Sequence, residues 1–341
     1  MRISHTHFLV VKASDNYRLG GQLGEIFRQE IRDRADAMEK SFTAARGFLT
    51  DSFNAVKNGL PEYAQEIKGY AEAAGISKQH MLAVMMEDEL DECLENRSSG
   101  AEEHCSTLAT NAGSLIAHNE DWDEESQDRL WVLRREVGPP GREQVNLELL
   151  YSCTLGGNSF GVNSAGFTHA VNSLTHPYPK GAQPGISRNI IARWMSDTQN
   201  PQQSFEILSR MKKISGYSHT IVDTKNKSGW NIECNQSECV ATNLEYPYVH
   251  TNHYLNGAFA HHNDVLINDP ESTTFRRFDD LTGAMGLHMS VSEVKKLLSR
   301  RKECVFRPET IGRMIVDAPK GQAHIWLARE KKAGWISYDL P

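Results

Sequence analysis

The segment Glu102-Glu103-His104-Cys105-Ser106-Thr107-Leu108 joins two halves of a 341-residue chain that follow different periodicities. On its N-terminal side Leu19, Leu23, Ile26, Phe27 and Ile31 recur at three and four residues, which predicts one apolar stripe on a helix. A second helix opens at Pro61, carries Tyr63, Ile67, Tyr70 and Ala71, and stops at Gly75. Proline suits a first turn, and glycine suits the left-handed residue that ends a helix. Ser77 caps a third helix through Met81, Val84 and Met85. Acidic and polar residues over 87–103 predict an exposed linker.

On the C-terminal side the pattern becomes strands punctuated by turn residues. Residues 105–110, the turn Asn111-Ala112-Gly113 and residues 114–119 read as a hairpin, with further strands over 131–137 and 145–154. Gly156-Gly157 and Asn163-Ser164-Ala165-Gly166 mark turns, and helices are expected over 187–196 and 202–211. Strands resume at 219–223, 229–235 and 238–243, a helix covers 292–300, and two strands at 313–317 and 323–328 close the chain. Runs of antiparallel strands with grouped helices predict an α+β layered fold.

Composition excludes several function classes. With 39% hydrophobic and 24% charged residues the chain is globular. Its 37 basic and 44 acidic residues give a net charge of −7 without a basic stripe, so nucleic acid is not an expected partner. The mean hydropathy of −0.52 accompanies no long uncharged apolar run, and no membrane is expected as partner. Residues 1–12 carry no secretory h-region, and the expected localisation is cytoplasmic. The six cysteines show no C-x-x-C pair and are expected to be reduced. The fourteen histidines form no H-E-x-x-H and no zinc spacing, and no phosphate-cradling glycine motif is present. No metal and no cofactor is therefore expected.

Cys105 differs from the other thiols because it begins a strand directly after the polar segment. Its neighbourhood resembles the acyl-coenzyme A:isopenicillin N acyltransferases, N-terminal-nucleophile (Ntn) hydrolases made as self-cleaving precursors. The resemblance rests on Arg18-Leu19-Gly20 to Gly24-Glu25-Ile26-Phe27, on Cys105-Ser106-Thr107 and on Asn119-Glu120-Asp121-Trp122. It continues through Asn163-Ser164-Ala165-Gly166-Phe167 to Asn172-Ser173 and His250-Thr251-Asn252-His253-Tyr254.

That likeness implies a four-layer αββα Ntn sandwich with a helical N-terminal prosegment. Residues 1–104 would form the prosegment or α chain and residues 105–341 the β chain, both building one structural domain. Cleavage between His104 and Cys105 would free an α-amino group of pKa ~7.7 to 8.0, able to take the thiol proton without a catalytic histidine. The resemblance assigns Cys105 as nucleophile, Asn252 as oxyanion donor and Asp121 as the carboxylate orienting the α-ammonium. Arg307 is the best match to a late arginine beside the thiol, with Arg313 or Arg301 as alternatives. Asn172 and His253 are assigned to substrate binding. The implied substrate is a small linear amide, cleaved through an S-acyl intermediate on Cys105. An acyl thioester with an amine acceptor would make the protein an acyltransferase instead. An uncleaved cysteine hydrolase using His104 or His253 as base, a non-catalytic binding relative and a metal-dependent amidase are the other readings. Association into a homo-oligomer is left open.

Overall fold

The computed structural model describes residues 4–95, 105–175, 181–302 and 304–341. Strand β1 (Phe8–Ala13) precedes a run of helices: α1 (Asn16–Ile26), α2 (Arg28–Ala37), α3 (Glu39–Ala44), α4 (Arg46–Gly59), α5 (Pro61–Ala74), α6 (Lys78–Met85) and α7 (Glu87–Glu95). Leu19, Leu23, Phe27 and Ile31 are buried as the stripe requires, while Ile26 is exposed. Pro61 stands in the first turn of α5, Gly75 ends it at φ 74°, and the Ser77 hydroxyl accepts from the His80 amide to cap α6. Helices α1 and α5 lie backbone to backbone. A Cβ on Gly20 would sit 2.0 Å from the Glu66 carbonyl oxygen, and one on Gly69 would sit 2.1 Å from that of Tyr17.

The expected acidic linker is corrected by α7. Glu89 is fully buried and Glu92 nearly so, because Arg188 grips Glu92 through two bonds of 2.9 and 3.0 Å, while the Arg188 amide and the Ser215 hydroxyl donate to Glu89. Ion pairing replaces the solvent that such residues otherwise need. Residues 96–104, and with them His104, lie outside the described part.

The second half supplies most of the strands. They are β2 (Ser106–Thr110), β3 (Leu115–Asp121), β4 (Leu130–Val137), β5 (Gln144–Tyr151), β6 (Phe160–Asn163) and β7 (Phe167–Ser173). Then follow α8 (Arg188–Ser196), α9 (Pro201–Leu208), β8 (Tyr217–Asp223), β9 (Ser228–Cys234), β10 (Cys239–Asn243) and β11 (Tyr248–His250). Helices α10 (Asp264–Ile267), α11 (Thr274–Ala284) and α12 (Val291–Leu297) precede β12 (Thr310–Asp317), β13 (Gln322–Leu327) and β14 (Ile336–Asp339). One sheet has the order β1-β4-β5-β6-β7-β8-β9-β10 and the other β11-β2-β3-β12-β13-β14. Every neighbouring pair is antiparallel except β1 with β4, a parallel edge the sequence pattern did not signal. Nor did the pattern signal α3, α4, α11 or β14.

Alternation along the strands sorts the core into layers. Ala109, Ile116, Leu149, Val162, Met314 and Ile325 meet between the two sheets. Their sequence neighbours point outward: Leu150 packs under the N-terminal helices and α8, whereas Leu108, Leu115, Ala117 and Ile315 pack under α11 and α12. The result is a four-layer αββα sandwich in which residues before and after position 105 share one core.

Cys234 and Cys239 face each other across the β9–β10 hairpin and are disulfide-bonded. This corrects the expectation that all six cysteines are reduced; the other four form no disulfide. Among the described residues no helix is long and apolar enough to cross a membrane.

Candidate active site

Cys105 stands one residue before β2, where the ladder to β3 begins with Ser106 opposite Asn119 and Thr107 opposite His118. Period-two alternation turns Cys105 and Thr107 toward the space between the sheets, with His118 and Glu120 of β3 beside them, and turns Ser106 and Asp121 toward the layer of α11. The thiol is 7% exposed and donates to the Asp121 carbonyl oxygen at 3.8 Å.

A hydrogen-bonded chain runs past the thiol. Thr107 Oγ1 donates to Asn172 Oδ1 at 2.7 Å and lies 2.9 Å from His118 Nδ1. His118 Nε2 lies 2.9 Å from Glu120 Oε2. Glu120 also accepts from the Tyr151 hydroxyl at 2.6 Å and from the Ser159 hydroxyl. The sulfur, a His118 nitrogen and a Glu120 oxygen fall within 4.8 Å of one another, the one such metal-compatible group among the described residues. Their bonds to Thr107, to one another and to Tyr151 and Ser159 already engage the nitrogen and oxygen atoms of this set.

Electrostatics keep the sulfur protonated. Burial pushes the Cys105 thiol well up, Glu120 and Asp121 push it further, and only the Asp121 backbone and the Arg277 guanidinium pull the other way. Burial likewise raises the Asp121 carboxyl to about 8 against the opposing pull of Thr310 and Arg277. Arg307 Nε approaches Asp121 Oδ2 at 3.7 Å, and the charge of Arg313 also acts on Asp121. Arg313 lies over the Trp326 ring and Arg301 over Phe306.

Arg277 was not foreseen. Fully buried on α11, it donates from Nη1 to the Cys105 carbonyl oxygen at 2.7 Å and to Ser106 Oγ at 2.9 Å, and from Nη2 to Asn252 Oδ1 at 2.8 Å. Nothing in Arg276-Arg277 distinguishes these residues in the sequence, because their use depends on where α11 lands. Asn252, with its carbonyl thus occupied, directs Nδ2 to the Ser173 carbonyl at 3.2 Å, leaving the second N–H of that amide available.

The remaining expected residues divide. Asn172 touches β2 through Thr107, and its Nδ2 is buried without a partner. His253 is brought elsewhere: its Nδ1 meets Thr251 and Thr274, its ring packs on Phe275 and Phe278, and burial lowers its pKa to about 3. Beside Cys105 a cavity is lined by Glu87 and Asp88 of α7, Glu120, Trp122, Arg129, Tyr151, Asn158, Ser173 and Tyr217. The N-terminal segment thus forms one wall of it.

The fold and the site define an α+β sandwich protein with a buried strand-end cysteine at a cavity between its sheets. Residues 108–318 match the family described as acyl-coenzyme A:6-aminopenicillanic acid acyl-transferase, and the chain belongs to that family. A curated relative, the β-alanyl-dopamine/carcinine hydrolase of Drosophila melanogaster, is 23% identical over 174 residues, covering 48% of this chain and 44% of the relative. The chain therefore aligns with less than half of that protein. Among solved structures, penicillin V acylase from Agrobacterium tumefaciens is 14% identical with a TM-score of 0.44 over 66% of this chain and 83% of its own. A mutant form of the conjugated bile acid hydrolase from Clostridium perfringens is 11% identical with a TM-score of 0.45 over 69% and 92%.

Proposed function

We propose that this protein is a self-processing cysteine amidohydrolase that cleaves a small N-acylated amine through an S-acyl intermediate on Cys105. The observation that carries this reading is the thiol itself. It opens a strand at a cavity, it is held protonated by burial and two carboxylates, and Arg277 ties its residue to the Asn252 amide.

A protonated thiol needs a base. In the precursor, the Cys105 sulfur attacks the carbonyl carbon of His104, the His104–Cys105 amide breaks as a thioester forms, and the α-nitrogen takes a proton. Water then hydrolyses the thioester, leaving residues 1–104 with a new carboxylate and residues 105–341 with a free α-amine. That amine, with a pKa of ~7.7 to 8.0, serves as base within the same residue. In turnover the sulfur attacks the substrate carbonyl, the Asn252 Nδ2 donates to the oxyanion, the ammonium protonates the departing amine, and water releases the acid. Asp121 and Arg307 would orient and balance the ammonium. Asn172 keeps its place in the proposal as a substrate-side residue through Thr107, whereas the packing of His253 on Phe275 and Phe278 gives it a structural part.

The family description supports a second reading, in which an amine accepts the acyl group and an acyl thioester supplies it. Both readings share the S-acyl intermediate. The decisive experiment is the intact mass of wild type and Cys105→Ala under denaturing conditions, paired with amide turnover. Two fragments meeting at 104/105 in an active wild type, and one inactive full-length Cys105→Ala chain, are expected. An active single chain, or a Cys105→Ala variant that still splits or turns over, overturns the reading.

A further inference from the structure

We infer that Glu233 and His250 are positioning residues, a clamp across the two sheets that fixes the loop carrying the Asn252 amide. This rests on the amidohydrolase reading and names the residues that place its oxyanion donor.

Glu233 stands on β9 of the larger sheet, opposite Ser218 of β8 and Val240 of β10. It is fully buried, and its carboxylate accepts three bonds: from His250 Nε2 at 3.1 Å, from the Leu255 amide at 2.7 Å and from the Asn256 amide at 2.9 Å. Burial pushes its pKa up, but the bonds from His250, Leu255 and Asn256 outweigh burial and hold the carboxyl below its ordinary value. A carboxylate in such a place keeps its charge only while those donors stay with it.

His250 donates in two directions. It ends β11 in the smaller sheet, opposite Thr107 of β2. Its Nδ1 meets the Thr251 carbonyl oxygen at 2.6 Å, and a carbonyl oxygen only accepts, so that nitrogen carries a proton. The other ring nitrogen faces the ionised Glu233 and carries one as well. The peptide between Thr251 and Asn252 is thereby held at both of its polar groups, its carbonyl by His250 and its N–H by Thr274 Oγ1 at 2.8 Å. One carboxylate thus pins residues 250, 255 and 256, on both sides of Asn252, to a strand of the opposite sheet. Arg277 and Ser173 orient the Asn252 side chain, while Glu233 and His250 fix the backbone it springs from. Neither of the pair lines the cavity beside Cys105, so both act through Asn252.

The test sets processed wild type against Glu233→Gln, Asn252→Ala and the double variant, on the best-used of acetyl, β-alanyl and phenylacetyl p-nitroanilide. Glu233→Gln should lower kcat by about 10- to 100-fold with KM changed by less than about threefold, because a displaced donor is missed chiefly in the transition state. In the Asn252→Ala background the same change should cost less than about threefold, since nothing is left to position. Hydrogen exchange at the Leu255 and Asn256 amides should quicken by about tenfold or more in Glu233→Gln, with the β2 amides unchanged. His250→Gln, which keeps a donor toward Glu233, should retain more activity than His250→Ala, and it takes the place of Glu233→Gln in the cycle if that variant does not fold. A Glu233→Gln kcat within about threefold of wild type, a loss carried by KM, or losses that multiply in the double variant overturn the clamp and leave amide cleavage standing. Unchanged exchange at residues 255 and 256 overturns it without reference to turnover. A wild type that cleaves none of the three anilides sinks the amidohydrolase reading and the clamp together.

Discussion

Arg277 Nη2 donates to Asn252 Oδ1 at 2.8 Å while the same guanidinium holds the Cys105 carbonyl oxygen at 2.7 Å, so the Asn252 amide and the Cys105 backbone are braced by one rigid fork. A planar guanidinium can satisfy acceptors in two directions, which a lysine ammonium on a flexible stem does less well.

Arg277→Lys is expected to keep the fold and charge but lower kcat by about 10- to 100-fold with a smaller change in KM, as positioning is lost. Steady-state kinetics with a circular-dichroism check on folding measure this. A variant within threefold of wild type would assign Arg277 to structure alone.

Removing the amide itself should cost more. Asn252→Ala should lower turnover by ~10² to 10³ with the fold retained, the range typical of an oxyanion donor. A drop below tenfold would leave Asn252 only the strand-end role given by its bond to Ser173.

The pH response of the uncleaved chain follows from Asp121. Its carboxyl, raised to about 8 by burial, keeps a proton that the unfolded chain releases near pH ~4. The folded state therefore binds more protons across this interval. The stabilisation from this group is full below about pH 4 and is lost as pH rises toward 8. In the Cys105→Ala background, the melting temperature should fall over that window more steeply than in Cys105→Ala/Asp121→Asn. Parallel curves would show that Asp121 is ionised in the single chain. Asp88, also raised, is common to both proteins and cancels from the difference.

Where α1 crosses α5, Gly69→Ala would drive its methyl group into the Tyr17 carbonyl. Although alanine favours helices in general, overpacking against backbone should destabilise the protein by about 1–3 kcal/mol. Thermal or urea denaturation reads this, and an unchanged midpoint would mean that the helices separate freely.

These sites differ in how plainly the sequence announced them. The β2–β3 hairpin was legible because Asn111-Ala112-Gly113 takes left-handed dihedrals, at φ of 54°, 52° and 76°, between alternating apolar residues. Helix α5 was legible from Pro61 and Gly75. Helix α7 was not, since its carboxylates look solvated until Arg188, nearly a hundred residues later, is seen against them. Arg277 was hidden for a similar reason. The Cys234–Cys239 bond had a signal that went unused: two expected strands ended and began around residues 235–238, which sets both sulfurs opposite each other across the turn.

The shared core of the N-terminal helices and the larger sheet bears on how the protein would behave once cut. Arg193 of α8 is bonded to Glu66 of α5, Arg188 to Glu92 of α7, and Ile190 and Ile191 lie in one cluster with Leu19 and Tyr70. Scission after residue 104 would sever the covalent thread without loosening this interlock. The two pieces would elute from a sizing column as a single particle, melt together, and come apart only when the whole assembly unravels.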